Sequence, residues 1–452
     1  MVDLTPFLPG LSPVQGKAVV ARFDGGRLSS EGGLLALREI ERRLGLADRL
    51  ANCLVDPRAP ERVVHRLAEI IRFRMLMIAA GYEDGNDADA LRRDPMFKLA
   101  LDRLPAGEEL CSQSVLGLDP GISRLENLPD RRALLRLGRA LVEQYCGSFR
   151  AVPKRIVLDI DDTFDRVHGG QQLRLFNAYY DDYGFQPIVV FDAEGRFVTA
   201  LLRPGKRPSG VEIRGFVRRL IGALRSHWPK VEILLRADSH YASPEVFDWC
   251  RKNRVDWVFG LAPNAALCRH VAALERSTAA RFKAAPGRGK VRRFGQFHDA
   301  AQSWSRVERI IARVEAGHEG TDTRFIVTSL EGGRAKHLYQ RLYCARGQAE
   351  NHIKAWKNHL AADRTSCHAA EANQFRLFLH AGAYWLLWSM RRVMPKHSVW
   401  RVMQFDTLRL RLVKLAARVV ELKTQVKIHL PTSAPDQAIF AMLLDRLPRL
   451  VT

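Results

Sequence analysis

From Ile156 the hydrophobic period of this chain changes from helical to strand-like, and the elements that follow come in a constraining order. Ile156–Asp161 (IVLDID) is an apolar run of strand length that ends in acids. Pro187–Asp192 and Phe197–Arg203 are two more strand-like runs, joined by the turn Ala193-Glu194-Gly195. A helical pattern covers about Ser209–Ser226, strand Val231–Ala237 stops at Asp238, a helix spans about Pro244–Lys252, and strand Trp257–Leu261 closes the series. Three strands, helix, strand, helix, strand calls for an α/β layer structure, because strands this apolar must be covered on both faces. Acids stand at the ends of the first and fourth strands, and the C-terminal ends of strands are where α/β folds place ligand sites.

That order is the order of an RNase H-like core. A β-rich insertion is expected to interrupt it, over 265–337, with the turn Pro286–Lys290 and strand-like runs at Val307–Val314 and Arg324–Leu330. The core then resumes as helix over 338–395, until Pro395 breaks it. Residues 1–150 read as mainly helical and DNA-binding, 151–264 as the first part of the core, and 396–452 as a basic helical tail. In the N-terminal part, Ser30 is placed to cap a helix carrying Leu34, Leu37, Ile40 and Leu44. Gly25–Gly33 has neither phosphate-loop nor dinucleotide spacing and reads as a turn. The acids of Gly81–Pro95 lack calcium-loop spacing and read as a solvated turn and helix cap.

A third acid comes from a different element. Read as one helix, Tyr343–Lys357 (YCARGQAENHIKAWK) puts Tyr343, Glu350 and Lys357 about two turns apart on one face, with Arg346 one turn before Glu350. On a solvated helix Arg346 and Glu350 are only a weak surface pair. Beside a phosphodiester the same row has a use: the carboxylate holds a metal, the cations hold phosphate oxygens, and the ring stacks on a base. Phosphoryl transfer on DNA needs a charged transition state stabilised and a water or 3′-hydroxyl activated. Two divalent metals about 3.5–4 Å apart do both, held by carboxylates converging from separate elements. The candidates are Asp161, Asp238 and Glu350. Asp159 lies two residues before Asp161, on the same sheet face, and is its rival; Asp162 points the other way. Asp165 reads as a residue that caps or solvates the turn. Asp238-Ser239-His240 does not make a hydrolase triad, since adjacent residues cannot take that geometry.

Composition agrees with an anionic partner. The net charge of +22 on a chain with 47% hydrophobic residues describes a folded protein that gains by displacing counterions from a polyanion. Seven scattered cysteines form no CxxC pair, which fits a reducing cytoplasm and no zinc knuckle. Met1–Gly10 has no basic segment before an apolar run, so no signal peptide is expected. The apolar stretch at about Phe375–Met390 carries Arg376 and His380, is short for a membrane span, and reads as a buried core helix. Five cations of the tail, Arg401, Arg409, Arg411, Lys414 and Arg418, suit either a DNA backbone or a solvated helix face.

These pieces resemble the DDE transposases of bacterial insertion sequences. Tyr343, Arg346, Glu350 and Lys357 match their Y-(2)-R-(3)-E-(6)-K signature. The narrower resemblance is to the insertion-sequence thirteen-eighty family, within the broader insertion-sequence-four group. It is carried by Leu158–Thr163 (LDIDDT), His168–Gln171 (HGGQ), Leu235–Ser239 (LRADS), Phe259–Asn264 (FGLAPN), Gly81–Pro95, and Ser123–Asn127 (SRLEN), with a departure at Cys111–Gly121 where an unusual local loop is expected. Asp161-Asp162-Thr163 fits the family's D-x-T, which favours Asp161 over Asp159. The resemblance implies a cut-and-paste recombinase that binds terminal inverted repeats of double-stranded DNA, cleaves with two Mg²⁺ ions (Mn²⁺ able to substitute) and joins the 3′-hydroxyls to target DNA. It would work as a homodimer in a synaptic complex, in a bacterial cytoplasm, with no membrane. Asp161, Asp238 and Glu350 are the implied metal ligands. Tyr343, Arg346 and Lys357, with Lys354, are the implied DNA contacts, and Trp304 is a candidate wedge for a flipped base. Two other readings stand beside it: a nuclease on the same fold that shares the three carboxylates but does not join DNA, and a transposon-derived DNA-binding protein with a dead site, against which the intact Asp161, Asp238 and Glu350 argue.

Overall fold

The computed structural model describes residues 7–113, 122–285, 287 and 289–450. Met1–Pro6, Ser114–Gly121 (most of the expected unusual loop), Pro286 and Arg288 of the expected turn, Val451 and Thr452 lie outside the described residues. The chain forms two compact units. One takes residues up to Leu125 together with Ser389–Leu450; the other takes Glu126–Trp388. The helix Arg131–Gly147 thus falls in the second unit and the tail in the first.

In the first unit, helices Leu34–Leu44 and Leu67–Ala80 bury Leu34, Leu37, Ile40, Ile70, Ile71 and Met75. Gly33, not Ser30, occupies the cap of the first helix. The glycine-rich stretch is a backbone seam: Gly32 and Gly33 donate to the carbonyls of Leu415 (2.7 Å) and Val413 (3.1 Å), and a Cβ on Gly33 would collide with the Leu412 carbonyl oxygen. Within Gly81–Pro95, Asp84 and Asp94 do cap short helical turns. Strand β1 (Leu28–Ser29) pairs antiparallel with Ala417–Glu421, which pairs with Val426–His429. The tail is therefore not one basic helix. Phe405–Leu408 runs into a π-helical turn, Arg409–Val413, and Val419 and Val420 then favour a strand, with Ala417 and Val419 inward and Arg418 outward. Its cations are largely spent inside the unit. Arg411 pairs with Asp436 at 2.7 Å and lies 4.3 Å over the Trp400 ring, while Lys414 reaches the buried Glu31 at 2.6 Å.

The second unit is a mixed α/β structure around one large sheet. Its strands are β2 (Arg155–Asp162), β3 (Asp165–Arg166), β4 (Leu175–Asn177), β5 (Asp182–Phe185), β6 (Ile188–Asp192), β7 (Phe197–Leu201), β8 (Glu232–Ala237), β9 (Val255–Leu261), β10 (Lys290–Asp299), β11 (Glu308–Gly317) and β12 (Gly320–Thr328). Eight of them form one sheet in the order β10-β11-β12-β9-β8-β2-β6-β7. β2, β8 and β9 are mutually parallel; every other pairing is antiparallel. The apolar run Ile156–Ile160 sits between β6 and β8, at the centre of the sheet. The helix Gly210–His227, opened by a Ser209–Glu212 capping box, buries Ile213, Phe216, Val217, Leu220 and Leu224. The long helix Ala370–Val393 buries Phe375, Leu379, Tyr384 and Trp385, as its apolar composition requires. Among the described residues no helix is long and apolar enough to cross a membrane.

Two features of this unit differ from the sequence pattern. Residues 265–337 begin with a 19-residue helix, Ala265–Lys283, and gain a strand, β10, that the pattern did not reveal. Its strands extend the main sheet, since β12 pairs along β9 with Phe325 opposite Leu261. Between β2 and β6 the chain also builds a separate three-stranded sheet in the order β3-β5-β4.

Candidate active site

Parallel pairing of β2 with β8 places Asp159 opposite Arg236. Two residues on, Asp161 and Asp238 leave these neighbouring strands at the same level, with strands about 4.8 Å apart. Both therefore stand at the C-terminal edge of the parallel strands. Asp161 is 15% exposed and Asp238 37%.

Glu350 arrives on the helix Gly347–Lys357, whose apolar face (Ala349, Ile353, Trp356) is buried. The Trp356 ring lies 5.6 Å from Phe197 of β7, and His352 lies 5.6 Å from Phe191 of β6, so the helix is laid against those strands. Glu350, in its first turn, is 70% exposed. Arg346 joins the two acids: its guanidinium is 2.6 Å from Asp161 and 4.0 Å from Glu350.

The row from Tyr343 to Lys357 is not a single helix. Leu338–Tyr343 is π-helical, Cys344–Arg346 is a 3₁₀ turn, and only Gly347–Lys357 is α-helical. Such local changes of winding recur where a helix must aim side chains at a site. Tyr343 is turned onto the end of β8. A Cβ on Gly260 would come 2.7 Å from the Tyr343 hydroxyl and 3.0 Å from the Ser239 nitrogen, so this close approach needs glycine. Lys357 is aimed elsewhere. Its Nζ is 3.1 Å from Asp165, 3.3 Å from the Thr163 hydroxyl, and hydrogen-bonded to the Phe164 carbonyl. It clamps the turn that follows β2. Asp165 is buried rather than solvated, because that turn folds back as β3. Lys354 is exposed on the outer face of the helix. Trp304 lies in the turn between β10 and β11, edge-on to Phe247 at 5.3 Å, and no contact joins it to the acids among the described residues.

Asp159 is only 1% exposed, and both its oxygens accept from Arg236 at 2.7 Å. Arg236 gives its remaining reach to the Leu342 carbonyl, also at 2.7 Å, and so ties the π-helical turn to β8.

Sequence reasoning missed His240. Its Nδ1 is 2.6 Å from Asp238 and its Nε2 is 2.6 Å from Asp162, so one imidazole spans two carboxylates. Asp162 also accepts from Gln186 and from the Tyr241 hydroxyl at 3.4 Å. Asp238 caps the 3₁₀ turn Ser239–Tyr241, and that turn bends His240 back over its own neighbour. The available signal was Asp238-Ser239-His240 itself: an Asx-type turn with His two residues on brings the ring to the Asp.

These charges perturb one another. Burial pushes the Asp161 carboxyl up to about 6; Arg346 opposes that shift, and the nearby Asp238 and Asp162 reinforce it. Burial likewise raises Asp159 to about 6 against the pull of Arg236. For Asp238 burial acts upward, but the His240 hydrogen bonds outweigh it and leave the carboxyl below its ordinary value. Burial disfavours charge on His240, yet Asp162 and Asp238 overcome it and raise the ring to about 9. At neutral pH the site therefore holds a cationic imidazole on one side and a guanidinium on the other.

Asp161, Asp238 and Glu350 offer hard oxygen donors, the kind Mg²⁺ prefers. As folded, no group of three or more His, Cys, Asp or Glu among the described residues is gathered closely enough to hold a metal ion. The Arg346 guanidinium supplies the positive charge between Asp161 and Glu350 that a shared cation would supply. The donor chemistry fits, provided that Arg346 gives way and the exposed Glu350 turns inward.

Residues 11–452 match the family model described as Transposase DDE domain group 1. No curated protein matches the chain. Among solved structures, the cryo-EM structure of a piggyBac transposase synaptic complex with hairpin DNA is similar at a TM-score of 0.37 and 11% identity, over 90% of this chain and 88% of that one.

Proposed function

Because the chain belongs to the family Transposase DDE domain group 1, we propose that it is a cut-and-paste DNA transposase of the insertion-sequence thirteen-eighty kind, acting in a bacterial cytoplasm. It binds terminal inverted repeats, cleaves the element ends and joins the 3′-hydroxyls to target DNA. The observation that carries this reading is that Asp161 and Asp238 end adjacent strands at one level, with the exposed Glu350 connected to Asp161 through Arg346. Strand order β7-β6-β2-β8-β9, antiparallel on one side of β2 and parallel on the other, supports an RNase H-like core.

In this proposal Asp161, Asp238 and Glu350 would hold Mg²⁺, with Mn²⁺ able to substitute. Two divalent ions bound there would supply charge for the transferring phosphoryl group and would lower the pKa of the attacking hydroxyl. The bidentate pair of Asp159 with Arg236 favours Asp161 over Asp159 in that role. Arg346 leaves Asp161 for a phosphate oxygen when DNA arrives, since a guanidinium makes charge-assisted bonds with either anion. His240 fixes the Asp238 carboxylate in its ionised form. Lys357 acts through the turn it clamps, and the exposed Lys354 contacts the DNA backbone. Residues 1–150 read the inverted repeat, and two copies assemble the synaptic complex.

The test is single-turnover cleavage and strand transfer on an end oligonucleotide, with DNA binding measured in parallel. Asp161→Asn, Asp238→Asn and Glu350→Gln each abolish cleavage while binding persists. Binding falls steeply with salt, as expected of a +22 chain. Cleavage without any joined product would assign the protein to the nucleases instead.

A further inference from the structure

The small sheet between β2 and β6 carries more aromatic surface than its own packing uses. Phe176 of β4 and Tyr183 of β5 are directly opposite, edge-on at 5.4 Å, and each is half-exposed. The Arg174 guanidinium lies 4.8 Å over the Tyr183 ring. At the hairpin tip Tyr179 is 88% exposed and meets Tyr180 edge-on at 4.9 Å. Tyr180 in turn stacks face to face on Phe164, at 4.4 Å and 9°. Four exposed rings within one short hairpin make an apolar patch of the kind that marks a binding surface.

Three observations fix what it suits. The first is position. Phe164 is two residues past Asp162, and its carbonyl accepts from Lys357, so the Phe164–Tyr180 stack is anchored on the turn that leaves β2 beside Asp161. Asp162 and Asp161 both act on the Tyr180 phenol and help burial to raise its pKa, which places that ring within their field. The second is charge. Asn177 donates to the Gly205 carbonyl at 2.9 Å, which joins the hairpin to the loop bearing the exposed Lys206 and Arg207. Arg174 adds a third cation; of the hairpin's two acids, Asp182 pairs with Arg166 at 2.5 Å and Asp181 stays exposed. The third is shape. Residues alternate across the strands, so Phe176 and Tyr183 share one face while Phe164 lies on the other, and Tyr179 projects at the tip. A narrow aromatic finger flanked by cations suits unpaired nucleobases with their phosphates. A flat protein partner would not need rings on both faces.

We propose that the β4–β5 hairpin is a stacking site for unpaired DNA bases next to the scissile phosphate, with Tyr179 and Tyr180, backed by Phe164, as its platform. This site, rather than Trp304, receives the base. The inference rests on the proposed function and deepens it.

The experiment uses the full chain and two short duplexes of one sequence, one blunt and one with an unpaired tail carrying 2-aminopurine. Wild-type protein is expected to quench the 2-aminopurine and to bind the tailed duplex about tenfold more tightly than the blunt one, the scale of one or two base–aromatic stacks. Tyr179→Ala with Tyr180→Ala should remove that preference and leave blunt-duplex affinity unchanged, while Tyr179→Trp should keep it. Because Tyr179 is exposed, Tyr179→Ala alone provides a variant that cannot fail through misfolding, and it should lose part of the preference. Equal affinity of the wild type for both duplexes, or a preference that survives the double substitution, overturns this inference alone. So does a change of oligomeric state in the double variant with the tail preference intact, which would make the patch a protein interface. No binding to either duplex overturns this inference together with the proposed function.

Discussion

Arg236→Met tests the reading of the strand-end acids most severely. In the wild type both oxygens of Asp159 accept from Arg236, and the pair is almost fully buried. Removing the guanidinium leaves a buried carboxylate without a partner and orphans the Leu342 carbonyl. Breaking a buried pair in this way costs about 3–5 kcal/mol. For a unit of this size each kcal/mol moves the melting temperature by roughly 2–4 °C, so a fall on the order of 10 °C is expected. Replacing both partners, Asp159→Leu with Arg236→Met, removes the charges together and should recover most of the loss. The assay is thermal melting of the three proteins at neutral pH, with cleavage measured below the lowest midpoint. If Arg236→Met melts within a degree or two of wild type, Asp159 is not held as described. If Asp159→Asn abolishes cleavage while Asp161→Asn spares it, the assignment of Asp161 to the chemistry is wrong by one turn of the strand's alternation.

Lys357→Ala strips the buried Asp165 of its cation and should destabilise the second unit by about 3 kcal/mol or more, read by chemical denaturation, whereas a lysine serving only as a DNA contact would leave stability unchanged. Burial raises Asp165 to about 7, above its unfolded value of 3.8, so its contribution to stability is full at low pH and is lost as pH rises towards 7; Asp165→Asn should flatten that part of a pH–stability curve, and an unchanged slope would refute the assignment. Gly33→Ala drives a methyl into the Leu412 carbonyl and should cost about 3 kcal/mol in the first unit, whereas Gly215→Ala, with open space at its Cβ, should cost nothing measurable.

The sequence by itself determined the chain order of the core elements of the second unit, but not the strands β3, β4, β5 and β10. Each of its seven core elements lies where the pattern put it, from β2 through β9, because continuous apolar runs and a capping box are local signals that burial then rewards. It also exposed the acids that end β2 and β8 and the acid on the later helix. What it could not supply was pairing. That Asp159 is consumed by Arg236, that His240 bridges Asp238 and Asp162, and that Lys357 serves Asp165 all depend on residues brought together from distant parts of the chain. The tail cations looked free for the same reason: Lys414 meets Glu31 only once β1 has paired with Ala417–Glu421. The winding of Leu338–Lys357 was hidden too, since a helical period does not distinguish α, 3₁₀ and π turns. Only packing against β8 and Gly260 decides where Tyr343 ends up. Local periodicity thus set the elements and their order, and tertiary contact decided which charges cancel inside the fold and which remain to act on a substrate.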